Sequence, residues 1–292
     1  MTIVFEVVGG IGKNIIATAI VKLLRKKYPN AYLIVVASVP EIFDNNPNVN
    51  AVFPPNQRYI VNDFINKDTL ILLHDPYCDS DFITKKQSVY KSWSNLYDLD
   101  YNQEQPELFI TEDEINNYTK LFDTSKPILV IHPYGGPIIP EETTPKFTFD
   151  KGYNWVRDIP LIVCNTIIEK YKNDYNIYQK KHPTQKRVLE CVKIADNPIR
   201  EIMVLLKLSS KRILIDSFPQ HMAAALNLKS TVCWVGTSVE NFGYDLHNNI
   251  LPNPYTLIPQ FTTYGGFNYS EPINYMPYKN TLDIFNINKI LK

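Results

Sequence analysis

The most constraining feature of this chain is its opening unit: an apolar run over residues 2–8 (TIVFEVV), a glycine cluster at Gly9, Gly10 and Gly12, and an amphipathic stretch over 14–27. A buried strand, a tight turn and a helix in that order predict the start of a βαβ unit. Ile16, Ile20, Leu23 and Leu24 recur at three- and four-residue steps and so share one helix face. Arg25, Lys26 and Lys27 favour the negative end of the helix dipole, and Pro29 stops the helix. A second run, 32–37 (YLIVVA), is apolar almost throughout, and short runs follow at 51–53 and 69–73. Runs of this kind alternating with helices predict a parallel sheet covered on both faces.

The pattern then stops and restarts. Thr111 with Glu114 has the spacing of a capping box for a helix reaching about residue 122, and Asp123-Thr124-Ser125-Lys126-Pro127 breaks it. The boundary is expected there, giving domains 1–124 and 125–292, a length that suits two domains of about 100–200 residues. Beyond it come a strand at 127–132, a long loop at 133–152, a helix entered at Ile159-Pro160 and a short run at 175–178. Asn197-Pro198 opens a helix ending near Ser209, 212–215 is the next strand, Pro219 starts another helix, and 231–235 is a further strand. A Tyr-, Pro- and Asn-rich stretch at 251–280 precedes a last helix over 282–291, with a return of that helix to the first domain as the expectation. The fold class is α/β, two Rossmann-like doubly wound parallel-sheet domains.

Thirty Lys and Arg balance thirty Asp and Glu, and 45% hydrophobic residues is ordinary globular composition. A disordered chain or a broadly basic nucleic-acid coat is therefore disfavoured. No run approaches the roughly 18 apolar residues of a membrane span, and the opening residues lack a secretion signal, so a cytoplasmic protein is expected. Cys78, Cys164, Cys191 and Cys233 form no CxxC pair, which suggests neither a disulfide framework nor a zinc site, and buried thiols are expected.

Ligands of open α/β sheets gather beyond the carboxyl ends of the strands. Three loops there are unusual in composition. Gly9-Gly10-Ile11-Gly12-Lys13-Asn14 fails both phosphate motifs it approaches: a P-loop would need glycine at Val7 and Ser or Thr at Asn14, and GxGxxG would need glycine at Ile15. It can still let a ligand approach the backbone, or simply make a tight turn. His132-Pro133-Tyr134-Gly135-Gly136 follows a strand and frees backbone amides, although a histidine beside an apolar run is more often packed than catalytic. In Asp216-Ser217-Phe218-Pro219-Gln220-His221 a strand ends, proline starts a helix, and Ser217 and His221 face whatever anion sits at that helix end, unless Asp216 and Ser217 only cap it.

At this third loop the sequence resembles a known family. IDSFPQHMAAALNLKSTVCWVGTS, residues 215–238, is similar to the D-S/T-G-x-x-H-x-A-A-A-L signature of glycosyltransferase family 9, the ADP-heptose:lipopolysaccharide heptosyltransferases. GGIGKNIIATAIVKLLRKKYPNAYLIVV resembles the family's glycine turn, first helix and second strand. ILVIHPYGG and Asn154-Trp155-Val156-Arg157-Asp158-Ile159-Pro160 resemble the start of its second domain. The resemblance implies a GT-B fold, with two Rossmann-like domains facing a central cleft. It also implies an inverting, metal-independent transfer of a sugar from a nucleotide-diphosphate sugar to a hydroxyl acceptor. No cofactor is implied; the partners are the nucleotide-sugar donor and an acceptor, foremost a saccharide, with a nucleic-acid acceptor not favoured.

Carried over by position, Gly12, Asn14, His132, Gly135, Gly136, Asp216, Ser217, Phe218, Gln220 and His221 would border the donor, with Gln179 near its ribose or base. Two positions depart from the family. Lys13 stands where the family has the aspartate proposed as the base, and could bind phosphate or act as a base only with a strongly lowered pKa. Phe218 replaces a glycine, narrows that space and suggests a different donor sugar. Asp75, in His74-Asp75-Pro76-Tyr77 after the 69–73 run, is the replacement candidate for the base, against a role in starting a turn. Asp79-Ser80-Asp81 reads as a DxD and is discounted, and Tyr77, Tyr90, Trp93 and Tyr97 are read first as core and second as sugar-stacking rings. Two other readings stand beside this one: a catalytically inactive sugar-nucleotide or glycan-binding module that has lost its base, and a nicotinamide-dependent oxidoreductase, disfavoured by the incomplete glycine fingerprint.

Overall fold

A computed structural model of the chain describes residues 1–83, 87–136, 148–149, 153–154, 157–235, 237–256 and 283–292. Trp155, Val156 and most of the 133–152 and 251–280 stretches lie outside the described residues.

The first lobe opens with β1 (Thr2–Val7), α1 (Ile11–Lys27), β2 (Tyr32–Ala37) and β3 (Ala51–Phe53), then a one-turn α2 (Arg58–Val61) and β4 (Thr69–Leu72). Its remaining helices are α3 (Ser80–Ile83), α4 (Val89–Leu96) and α5 (Glu112–Tyr118). The sheet runs β3-β2-β1-β4, all parallel, with Val4 paired to Ile34's strand on one side and to Ile71 on the other. The Thr111 capping box is present, its hydroxyl accepting from the Glu114 amide and the Glu114 carboxylate accepting from the Thr111 amide.

In the second lobe, β5 (Ile128–Ile131) is followed by a small antiparallel pair, β6 (Thr148–Phe149) and β7 (Tyr153–Asn154), then α6 (Leu161–Tyr171), β8 (Asn176–Lys180) and β9 (Lys193–Ala195). The chain continues through α7 (Ile199–Leu208), β10 (Ser209–Ile215), α8 (Phe218–Ala225), β11 (Thr231–Cys233), α9 (Val239–Phe242), β12 (Asn248–Ile250) and α10 (Ile287–Ile290). The second sheet runs β12-β11-β10-β5-β8-β9, again all parallel. Counted from its own first strand, that is the 3-2-1-4-5-6 order of dinucleotide-binding folds, and the first sheet is the 3-2-1-4 part of the same order. The order reverses between β1 and β4 and between β5 and β10. Those two points are where the loops diverge and leave room for a ligand.

One hydrophobic core spans both lobes: Ile3, Phe5, Ile20, Leu24 and Trp93 from the first meet Leu205, Met222 and Trp234 from the second. The helices α1 and α8 approach at their N-termini across Gly12, where a Cβ would sit 3.1 Å from the His221 ring. Arg200 of α7 adds a polar clamp, its guanidinium reaching both carboxylate oxygens of Glu114 at 2.7 Å and the carbonyls of Phe109 and Glu41. Paired this way, the Glu114 carboxyl is held down at about 2.

Two expectations are corrected. The last helix does not return to the first lobe: Ile284, Phe285 and Ile290 are buried in the second lobe's own cluster beside Ile167 and Cys233, and Tyr171 donates to the Leu291 carbonyl at 2.8 Å. Each such buried side chain contributes about 1.5–3 kcal/mol, and the apolar face offering that gain belongs to α6 and β11. The cysteines divide, with Cys164 and Cys233 buried but Cys78 and Cys191 exposed on connecting loops.

Candidate functional site

The carboxyl ends of β1, β4, β5, β8 and β10 open into one cleft of about 710 Å³ between the lobes. Gly12, Lys13, Asp75, His132, Gly136, Asp216, Ser217, Phe218 and His221 all line it. Residues more than two hundred positions apart in sequence thus share one space, because both order-reversal points face it.

On the first lobe's side, the Lys13 ammonium donates to Asp75 Oδ2 at 2.7 Å and lies 5.3 Å from the Tyr77 ring centre and 5.8 Å from that of Trp93. Its side chain is 9% exposed while that of Asp75 is 44% exposed, so the carboxylate, not the ammonium, is presented to the cleft. Asp75 Oδ1 accepts from the Tyr77 amide at 3.0 Å, and Tyr97 braces the preceding turn by bonding both the amide and the carbonyl of His74. Lys13, expected as a base or phosphate ligand, is placed in the structure as the counter-ion of Asp75. Parallel pairing of β1 with β4 brings the two together.

On the second lobe's side His132, Asp216 and His221 are buried. His132 Nδ1 donates to the Lys180 carbonyl at 2.8 Å, which leaves Nε2 as a buried acceptor with no partner among the described residues. Burial holds its pKa down at about 4, and does the same for His221. His221 Nδ1 meets the Tyr244 hydroxyl at 2.7 Å, while Nε2 stands 4.0 Å from Asp216 Oδ1. Ser217 is the N-cap residue of α8 and makes no side-chain cap bond, and neither α8 nor α1 carries an acid in its first turn. The unpaired amides of two helices thus border the same cleft, along with Arg157, Lys180 and Lys181. Lys180 has its pKa lowered by burial, with Asp196 at 3.8 Å opposing that shift.

Four expected donor residues stand behind the cleft wall. Asn14 is fully buried and laces the glycine turn together, donating to the Gly9 and Gly10 carbonyls and accepting from the Val39 amide. Gln179 is also fully buried, its amide spent on the Lys186 carbonyl and the Val188 amide, where it braces the loop after β8. Gln220 donates to Asp216 Oδ1 and the Phe242 carbonyl, and Gly135 donates its amide to Asp158 at 2.8 Å. Tyr90, Trp93 and Tyr97 are core, whereas Tyr77 reaches the cleft. Asp79 of the DxD caps α3, accepting from the Phe82 amide. Among the described residues no three His, Cys, Asp or Glu side chains gather as a metal site. The basic rim at Lys180, Lys181 and His182 was missed, although three such residues closing a strand were a readable signal.

Neither a family model nor a curated protein sequence matches the chain. Solved structures do. The glycosyl transferase family 9 protein from Veillonella parvula DSM 2008 superposes with a TM-score of 0.62 at 12% identity, over 85% of this chain and 84% of that one. The E. coli ADP-heptose LPS heptosyltransferase II gives 0.64 at 12% identity over 89% and 91%. E. coli heptosyltransferase WaaC with ADP gives 0.52 at 10% identity over 85% and 92%. No helix among the described residues is long and apolar enough to cross a membrane. The chain has the fold of these heptosyltransferase and family 9 structures: two parallel α/β sheets facing one cleft.

Proposed function

We propose that this protein is an inverting, metal-independent glycosyltransferase that moves a sugar from a nucleotide-diphosphate sugar to a hydroxyl acceptor, foremost a saccharide. The observation that carries the reading is the convergence of two acid-free helix N-termini and a half-exposed carboxylate on one cleft in a fold shared with heptosyltransferases. Amides at the start of α8, with Ser217 and the basic side chains of Arg157, Lys180 and Lys181, hold the diphosphate and stabilise the charge it gains as it leaves. The anomeric carbon–phosphate oxygen bond breaks, and its electron pair departs with the nucleoside diphosphate. The acceptor oxygen bonds the same carbon from the opposite face, and its proton passes to Asp75. Lys13 and the Tyr77 amide keep the Asp75 carboxylate turned to the cleft.

Phe218 packs its ring 5.7 Å from that of His132, narrowing the cleft beside the helix end, and this supports a donor sugar other than heptose. The test is incubation with a panel of nucleotide sugars and saccharide acceptors, with and without chelator. Release of nucleoside diphosphate from one donor, insensitive to chelator, is expected. No release from any donor, or release abolished by chelator, contradicts the proposal.

A further inference from the structure

His221 is tied across the lobe interface by a chain of buried side chains. Its Nδ1 meets the Tyr244 hydroxyl at 2.7 Å, and that hydroxyl is bonded in turn to the hydroxyl of Tyr90, on α4 of the first lobe. All three residues are 4% exposed. Among the described residues Tyr244 is the only hydrogen-bond partner of the Tyr90 hydroxyl.

Counting protons decides the direction of the chain. Were His221 to donate from Nδ1, either the Tyr90 or the Tyr244 proton would be buried without an acceptor, which disfavours that direction. Run the other way, Tyr90 donates to Tyr244, Tyr244 donates to Nδ1, and both hydroxyl protons are used. A neutral imidazole with an accepting Nδ1 carries its hydrogen on Nε2. The Asp216 carboxylate at 4.0 Å from Nε2 favours the same form, because it attracts an N–H and repels a lone pair.

We propose that Tyr244, oriented by Tyr90, is a positioning residue that holds His221 as the Nε2–H tautomer, so that docking of the two lobes supplies the cleft with a neutral hydrogen-bond donor. His132 is locked the opposite way by a backbone carbonyl, so the two buried histidines of the cleft offer complementary atoms. That the Nε2–H meets a diphosphate oxygen rests on the function proposed above; the tautomer does not.

The experiment is two-bond 1H–15N correlation spectroscopy of ligand-free protein labelled in histidine, with the His221 signals assigned from a His221→Asn spectrum. Wild type at pH 7 is expected to show His221 with hydrogen on Nε2. Tyr244→Phe should displace the Nδ1 resonance and bring in the second tautomer, and Tyr90→Phe should cause a smaller displacement. With ADP as probe, Tyr244→Phe should weaken binding about two- to tenfold, because the binding-competent tautomer is then only a fraction of the population. An Nδ1–H tautomer in wild type, or an unchanged His221 pattern in Tyr244→Phe, overturns the proposal. Should Tyr244→Phe fail to fold, the wild-type tautomer and the Tyr90→Phe spectrum still decide it. The expected spectra together with no ADP binding would uphold the relay and count against the donor site.

Discussion

The two walls of the cleft are built from opposite materials. The first lobe presents an ion pair, Lys13 with Asp75, whose carboxylate is half exposed; the second presents helix amides and two histidines kept neutral by burial. A partly hydrated carboxylate can accept a proton and return it to water. A buried neutral histidine, whose charged form burial disfavours, serves better as a fixed hydrogen-bond partner. The difference teaches that, in the proposed reaction, proton transfer falls to the first lobe and donor binding to the second, so that substitutions on the two walls should affect different steps.

The largest expected effect follows from that division. Asp75→Asn should lower kcat by about 100- to 10,000-fold while nucleoside diphosphate affinity, measured by calorimetry, stays within about twofold. Loss of affinity with kcat preserved would break the comparison. Next is the clamp that keeps the walls in register. Arg200→Ala leaves Glu114 without its guanidinium, and a denaturant titration should show a loss of about 3–5 kcal/mol. Because the Glu114 pKa is depressed in the folded state, its contribution is present above about 4.5 and lost as pH falls toward 2. Stability of Glu114→Gln should lack that acid-side decline.

His221→Ala should weaken nucleotide binding about tenfold, the order expected for one hydrogen bond to a charged oxygen, and lower turnover with the fold retained by circular dichroism. The buried histidines also set a pH signature. Folded His132 and His221 sit near 4, below the unfolded value of 6.5, so their stabilising contribution is complete above 6.5 and is lost as pH falls through that window. Urea midpoints should therefore drop between pH 7 and pH 5. The smallest effect separates two neighbouring glycines. Gly12→Ala must push the His221 ring by a few tenths of an ångström and should weaken nucleotide binding slightly, whereas Gly10→Ala meets nothing within 4 Å and should be silent.

Much of this architecture was legible in the sequence because its signals are local. The apolar run, glycines and helix of residues 2–27, the Thr111 to Glu114 box and the strand-to-helix loop at Asp216 are each contained in a short window. What was not legible is what depends on pairing across the chain. The edge strands β9 and β12 read KIA and NNI, too short and polar to show a period, and exist because a neighbouring strand offers its backbone. Asn14 and Gln179 are polar residues beside strand ends, as ligand contacts would be, yet their amides are consumed by loop backbone. Lys13 and Asp75 were each visible as candidates, but their partnership needs the β1–β4 register. Tyr244 and Arg200 carry no local motif, and their roles follow from docking the lobes.

The most direct measurement is a crystal structure of the protein soaked with ADP, the nucleotide present in one of the superposed heptosyltransferase structures. The diphosphate is expected in the cleft against the backbone at Ser217 and Phe218, with Gly12 and His221 alongside. Phosphates bound anywhere else, such as the separate cavity of about 670 Å³ beside Trp234 and Asn249, would contradict the account.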